Sequence, residues 1–136
     1  MNTRFWITGV VLFVVTMAIG FVIHGTLLHA EYQALPIFRR EADGMNYFPY
    51  MLLGHVALVF GIAWIYQQGV KAGVSWITQG LRFGIALSFV TTIPMYLIYY
   101  AVQPMPPALV GKQIVFDFIG NIIVGFVAAF INKPAE

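Results

Sequence analysis

The feature that most constrains this fold is a set of four long apolar stretches. The first runs from Phe5 to Leu28 without any Asp, Glu, Lys or Arg, and the others cover about 48–66, 83–102 and 113–131. A helix needs roughly 20 apolar residues to cross the hydrocarbon core of a bilayer. Because none of the stretches alternates polar and apolar residues as a barrel strand does, the sequence predicts an all-α membrane protein. We expect four transmembrane helices in an antiparallel bundle.

Composition agrees with a membrane environment. Of the 136 residues, 60% are hydrophobic and only 9% are charged, whereas a soluble domain carries about 25% charged residues. These values exclude a cytosolic enzyme, and the lack of a basic run excludes a nucleic-acid-binding protein. The chain has no cysteine, which excludes disulfide, thiolate and iron–sulfur chemistry. A single domain over residues 1–136 is expected.

An even number of helices places both chain termini at one end of the bundle, which we call the terminal end. The opposite end is the distal end. Four basic residues are predicted at the terminal end and three at the distal end: Arg4, Lys71, Arg82 and Lys133 against Arg39, Arg40 and Lys112. Because Lys and Arg are enriched in cytoplasmic loops, we expect both termini in the cytoplasm, in a bacterial inner membrane.

Polar residues within the predicted helices are the candidate functional residues, because burying polar groups in hydrocarbon is costly. Most of them lie in the distal half, where Tyr96 and Tyr100 also lie, and the terminal half is expected to be almost purely apolar. The predicted buried polar cluster consists of His24, His55, Tyr99, Asp117 and Asn121.

Two histidines on adjacent antiparallel helices, His24 and His55, are the candidate cofactor-binding residues. They are compatible with axial ligation of haem b, with binding of a metal together with Asp117, with binding of a quinone head group, or with proton relay. The alternative is structural, with Asp117 paired to His55 or to a tyrosine hydroxyl across a helix contact. No HxxxH or HExxH spacing occurs, so we predict neither a metal site nor a catalytic residue.

Three further features belong to the third helix. Arg82 lies at its start and is predicted to reach lipid head groups by extending its side chain towards the interface. Pro94 is predicted to kink the helix and free a carbonyl near Val90, which the hydroxyl of Thr91 or Thr92 compensates. Small residues line one face from Gly84 onwards, and we expect that face to pack in the bundle interior or against a neighbouring protein.

The chain resembles a family of small four-helix bacterial integral membrane proteins of uncharacterised activity. The residues that carry the resemblance are His24-Gly25-x-Leu27-Leu28 followed by Tyr32, Gly80-Leu81-Arg82-Phe83-Gly84, Pro94 with the tyrosines after it, and the acidic residue of the fourth helix. They extend over most of the chain. The acid is usually glutamate in that family, so Asp117 departs from the pattern. The resemblance implies the fold and no activity.

Three functions are compatible with this sequence. The first is a non-catalytic accessory subunit of a larger respiratory or photosynthetic electron-transfer complex, with lipids and other membrane subunits as partners. The second is a small protein that binds haem b or quinone through His24, His55 and Asp117. The third is a dimeric proton-coupled transporter, although Asp117 is predicted only about one turn inside its helix, whereas transporters place such groups near the midplane.

Overall fold

The computed structural model describes residues 2–133, apart from the side chain of Glu41, and no strand occurs in this range. Its elements are α1 (Thr3–Val22), a π-helical turn (Ile23–Leu27), α2 (His29–Gln33), α3 (Glu41–Gly69), α4 (Trp76–Val90), α5 (Thr92–Val102) and α6 (Pro107–Asn132). They form four spans that are long and apolar enough to cross a membrane, at Thr3–Leu27, Ala42–Gly69, Trp76–Val102 and Pro107–Asn132. The predicted all-α fold with four transmembrane helices is confirmed.

Three of the helices begin earlier than the sequence predicts. They start at Glu41, Trp76 and Pro107 rather than near residues 48, 83 and 113. The prediction counted only apolar residues, whereas a helix continues through polar residues of the head-group region as long as its first turn is capped. Ser75 provides such a cap by accepting a hydrogen bond from the amide of Thr78, and proline suits the first position of α6.

The fourth span, α6, is the central helix. It packs most extensively on α4, less so on α1 and α5, and touches α3 at only a few residues, while α3 packs mainly on α1. The antiparallel arrangement is visible where the chain termini meet. There, Arg4 Nη1 donates to the carbonyl oxygens of Asn132 at 3.2 Å and Lys133 at 2.8 Å.

Glycines set the close approach of α4 and α6. A Cβ atom placed on Gly125 would lie 2.3 Å from the carbonyl oxygen of Gly80, and one on Gly84 would lie 2.7 Å from that of Asn121. Backbones can approach this closely only where side chains are absent, which is how membrane helices gain packing energy in lipid. The small-residue face of the third span therefore packs inside the bundle.

The third span breaks between α4 and α5, at Thr91. Pro94 follows directly and cannot donate a backbone hydrogen bond. The hydroxyl of Thr91 donates to the carbonyl of Leu87 at 2.8 Å, and the amide of Thr91 donates to the same oxygen. The helix is interrupted close to Pro94, as predicted. The predicted compensation near Val90 was wrong, because the Thr91 hydroxyl bonds the Leu87 carbonyl, which already accepts from the Thr91 amide.

The terminal half carries a polar cluster that the sequence reading did not predict. Asn132 is buried at the end of α6, and its Nδ2 donates to Thr8 Oγ1 at 2.9 Å. Gln67 Nε2, on α3, donates to the side-chain oxygens of Asn132 and Asn2, both at 3.1 Å. These bonds tie α1, α3 and α6 together, so the expectation of an almost purely apolar terminal half was wrong.

Candidate functional site: a cavity at the distal end

A cavity of about 760 Å³ opens between α1, α3 and α6 towards the distal end. Its walls include apolar side chains from three spans, among them Met17, Met51 and Val124. Four of the five residues predicted to form the polar cluster line this one cavity: His24, His55, Asp117 and Asn121. The predicted convergence of these side chains at the distal end is therefore seen in the structure, although they do not all contact one another.

His24 lies in the π-helical turn that ends the first span. The amide of Leu28 donates to the carbonyl of Ile23 at 2.9 Å, five residues earlier, and such turns often mark functional positions in helices. His24 Nδ1 lies 2.7 Å from the hydroxyl of Tyr32, and His24 Nε2 lies 3.3 Å from Asp117 Oδ1. Since a carboxylate only accepts, we assign the Nε2 hydrogen to the bond with Asp117, and the Tyr32 hydroxyl then donates to Nδ1.

Asp117 has a second partner on the third span. The hydroxyl of Tyr96 donates to its other oxygen, Oδ2, so each carboxylate oxygen has one partner. Of the two partners that the structural alternative allowed for Asp117, the structure has the tyrosine hydroxyl and not His55. The sequence also named the wrong tyrosine, since Tyr99 is 41% exposed and lies outside the cluster. Tyr99 is one helical turn nearer the distal end than Tyr96, beyond the level of Asp117.

Asp117 also lies deeper than predicted. Because α6 begins at Pro107, a rise of about 1.5 Å per residue places Asp117 roughly 15 Å from the start of the helix. The fourth span ends at Asn132, so Asp117 lies near its middle. The expected depth of one turn was therefore wrong, because it followed from a helix start near residue 113.

Tyr32 connects the short helix α2 to the spans. Its hydroxyl accepts a hydrogen bond from Gln113 Nε2 at 3.1 Å, and its ring stacks on that of His24. Burial raises the pKa of the Tyr32 phenol above its usual range, and the negative charges of Asp117 and Glu31 add to this effect. The neutral phenol is therefore the favoured form, as its bond to His24 requires. Tyr32 lies outside the four predicted helices and was not among the predicted cluster residues, so the sequence did not reveal this role.

His55 lines the cavity from α3 without joining the network around Asp117. Its Nδ1 lies 2.9 Å from the carbonyl oxygen of Met51, and because a carbonyl only accepts, Nδ1 carries the hydrogen. Among residues 2–133 its Nε2 has no hydrogen-bond partner. A Cβ atom on Gly20 would lie 3.9 Å from this nitrogen, so the missing side chain of Gly20 leaves the space beside Nε2 open.

Asn121 forms a separate polar group where the third span breaks. Its Nδ2 donates to Ser88 Oγ at 3.2 Å and to Thr92 Oγ1 at 2.8 Å. In the described part of the chain its Oδ1 accepts no hydrogen bond. Asn121 is thus fixed by its amide nitrogen, and its oxygen remains available on the cavity wall.

The distal mouth of the cavity is basic. Arg39 and Arg40 both line it. The Arg39 guanidinium lies 3.5 Å from the ring centroid of Tyr47, and Arg40 Nη1 donates to the carbonyl of Gln33 at 3.3 Å. Nearby, Lys112 forms an ion pair with Glu31 that links α6 to α2. Arg82 lies at the other end of the bundle, in a different pocket.

The donor set does not favour a metal. Within the described range, no group of three or more His, Asp or Glu side chains could hold a metal ion. Axial ligation of a haem would need a free nitrogen on each histidine, yet His24 has both ring nitrogens engaged.

Comparisons with protein-family models, with curated proteins and with solved structures give no match for this chain. The resemblance to the four-helix bacterial family therefore remains a prediction.

Proposed function

We propose that the protein binds a lipid-soluble quinone in the distal cavity. The observation that carries the proposal is that His55 directs an unpartnered ring nitrogen at a largely apolar cavity, which Asn121 and the paired His24 and Asp117 also line. Binding sites for small molecules are typically 300–1,000 Å³, mostly apolar, with a few convergent polar groups. A cavity of about 760 Å³ agrees with this description.

The chemistry of His55 suits both oxidation states of a quinone head group. With Nδ1 holding its hydrogen on the Met51 carbonyl, a neutral His55 presents Nε2 as an acceptor for a quinol hydroxyl. When protonated, the same nitrogen donates to a quinone carbonyl. The side-chain oxygen of Asn121 offers a second acceptor on the opposite wall. Quinone is favoured over haem b because both ring nitrogens of His24 are engaged, whereas within residues 2–133 Nε2 of His55 has no hydrogen-bond partner.

We place this binding in a protein without an enzymatic activity of its own, as a subunit of a larger electron-transfer complex. Within residues 2–133 the connections between spans are short, which leaves no room there for a soluble catalytic domain. The larger number of Lys and Arg at the terminal end supports cytoplasmic termini, in a bacterial inner membrane.

The test is quinone binding to the purified protein in mild detergent, measured by calorimetric titration with a short-chain benzoquinone and a short-chain naphthoquinone. Gly20→Leu adds a side chain beside His55 Nε2 and should weaken binding at least about 10-fold by filling the cavity. Gly54→Leu is the matched control, because a Cβ on Gly54 meets nothing within 4 Å, and its affinity should stay within about twofold of the parent. His55→Leu should weaken binding by about 10-fold.

Two results would overturn the proposal. One is equal affinity in the Gly20→Leu and Gly54→Leu proteins when both elute as the parent does. The other is that neither quinone binds to the parent protein after detergent extraction. A Soret band in the purified protein that disappears in His55→Leu would replace quinone with haem b.

A proton-coupled transporter is the second candidate, because Asp117 lies near the middle of its span and pairs with His24. Ionisable groups of transporters are found at this depth. In proteoliposomes with an imposed pH gradient, this function predicts a proton flux in the parent that Asp117→Asn abolishes. Equal flux in both proteins would exclude it.

A further inference from the structure

A second pocket lies at the terminal end, where the connection between α3 and α4 meets the membrane surface. It has a volume of about 250 Å³ and is lined by Lys71, Arg82, Tyr66, Gln79 and Phe83, with Gly69 and Val74. Two of these side chains are cationic and none is acidic. The pocket shares no lining residue with the distal cavity, so it is a separate feature of the molecule.

Within residues 2–133, the described charges at this end are basic only. Of its four basic residues, Arg4 caps α6 through two carbonyl oxygens, and Lys133 lies 4.8 Å from the ring centroid of Phe130. In the described part of the chain no carboxylate pairs with Lys71 or Arg82. The described acids, Glu31, Asp43 and Asp117, belong to the distal half. Among residues 2–133, the pocket therefore has two cations without a carboxylate counter-charge.

Tyr66 gives the pocket a hydroxyl group. The residue as a whole is only 5% exposed, and its ring is held edge-on against Phe83, with centroids 5.0 Å apart. Among residues 2–133 the hydroxyl makes no hydrogen bond, and its oxygen is not one of the fully buried unpartnered atoms. The hydroxyl is therefore open to the pocket and has a hydrogen to donate to an anionic group that enters it.

The loop that carries Lys71 is held in place. Gln79 Oε1 accepts from the amide of Lys71 at 2.9 Å, and Gln79 Nε2 donates to the carbonyl of Val74 at 2.9 Å. Both ends of the Gln79 side chain are thus used to fix the loop, so the backbone at Lys71 and Val74 is held in place before any ligand arrives. A preorganised site loses less conformational entropy on binding.

We infer that this pocket binds the phosphate group of an anionic phospholipid. Arg82 and Lys71 neutralise the phosphate, and the Tyr66 hydroxyl donates to one of its oxygens. The phosphate group is assigned to a lipid because the pocket lies where α3 ends and α4 begins, at the level of the head groups. Net negative lipids are favoured over zwitterionic ones, because basic residues near a membrane surface attract anionic head groups.

The experiment is native mass spectrometry of the delipidated full-length protein, titrated separately with phosphatidylglycerol, phosphatidylcholine and inorganic phosphate. We expect one tight phosphatidylglycerol adduct, at least about 10-fold tighter than phosphatidylcholine. Arg82→Gln should weaken it about 10-fold. Tyr66→Phe keeps the ring contact with Phe83 and should weaken it by about threefold.

Lys133→Gln is the matched control, since it removes one positive charge at the same end but outside the pocket. Its phosphatidylglycerol affinity should stay within about twofold of the parent. Equal losses in Arg82→Gln and Lys133→Gln would overturn the assignment, because they would indicate a general effect of charge. Equal affinity for the two lipids would also overturn it. So would binding of inorganic phosphate without binding of the lipid, because the source would then be free phosphate.

Discussion

His24 Nε2 lies 3.3 Å from Asp117 Oδ1 and so joins the end of the first span to the middle of the fourth. A carboxylate within a span costs roughly 2.5–3.5 kcal/mol on insertion scales. Here it is compensated by two side chains, because Tyr96 donates to the second oxygen. This hydrogen bond lies in the wall of the distal cavity, which both residues line.

The first prediction concerns the loss of this carboxylate. Asp117→Leu leaves the Tyr96 hydroxyl and His24 Nε2 without their acceptor, and should lower the free energy of unfolding by about 1–3 kcal/mol. Asp117→Asn keeps an oxygen for one of the two donors and should cost about half as much. Detergent-induced unfolding followed by circular dichroism measures both. Equal stability of the parent and Asp117→Leu would show that the observed bonds contribute nothing.

The second prediction concerns the glycine contact between α4 and α6. Gly125→Ala places a methyl group 2.3 Å from the carbonyl oxygen of Gly80, so the two helices must separate, at a cost of about 1–3 kcal/mol. Gly111→Ala on the same helix meets nothing within 4 Å. It should be neutral, or more stable by up to about 1 kcal/mol, because alanine favours the helix. The same unfolding assay compares the two variants. Gly125→Ala should be less stable than the parent, whereas Gly111→Ala should be equally stable or more stable.

The sequence was sufficient to predict the existence of the four spans and one of the two places where polar residues gather. Apolar length alone predicts four helices, and depth along each helix places His24, His55, Asp117 and Asn121 in the distal half, where they line one cavity. The sequence could not show that Tyr96, rather than Tyr99, pairs with Asp117. That choice depends on where α6 starts and on the break at Thr91, and both are decided by packing and by caps rather than by hydropathy.

The hydrogen-bond partners of His24 could not be predicted from the sequence, for a similar reason. Tyr32 reaches Nδ1 only because a π-helical turn and the short helix α2 fold the chain back over the first span. Neither element is long enough to show the apolar periodicity from which a helix is predicted. The terminal cluster was missed because Gln67 and Asn132 stand at span ends, where polar residues are ordinarily interfacial, and because their contacts join residues far apart in the chain.

The third prediction concerns that terminal cluster. Gln67→Leu removes the donor shared by Asn2 and Asn132 and should lower the free energy of unfolding by about 0.5–1.5 kcal/mol. Gln68→Leu is the control, because the neighbouring side chain is exposed and its replacement should change stability by less than about 0.5 kcal/mol. Urea unfolding of the reconstituted proteins would test both. A larger loss in Gln68→Leu than in Gln67→Leu would contradict the role of the cluster.

The fourth prediction concerns pH. Burial raises the pKa of Tyr32 above the ordinary value of 10.0, so the folded protein holds this proton more tightly than the unfolded chain. The resulting stabilisation is fully present below pH 10.0 and is lost as the pH rises through the higher pKa of the folded state. Ionisation would also remove the hydrogen that the phenol donates to His24 Nδ1, so the distal network should weaken over the same range.

The measurement is the free energy of unfolding at about pH 8 and about pH 11, in the parent, in Tyr32→Phe and in Tyr50→Phe. Tyr50 is 72% exposed, so its replacement should leave the parent's pH dependence unchanged. Tyr32→Phe should be less stable at the lower pH, because His24 Nδ1 loses its donor, and should lose less stability between the two pH values. If Tyr32→Phe shows the same alkaline loss as the parent, the loss arises from other groups and the buried neutral phenol does not contribute to it.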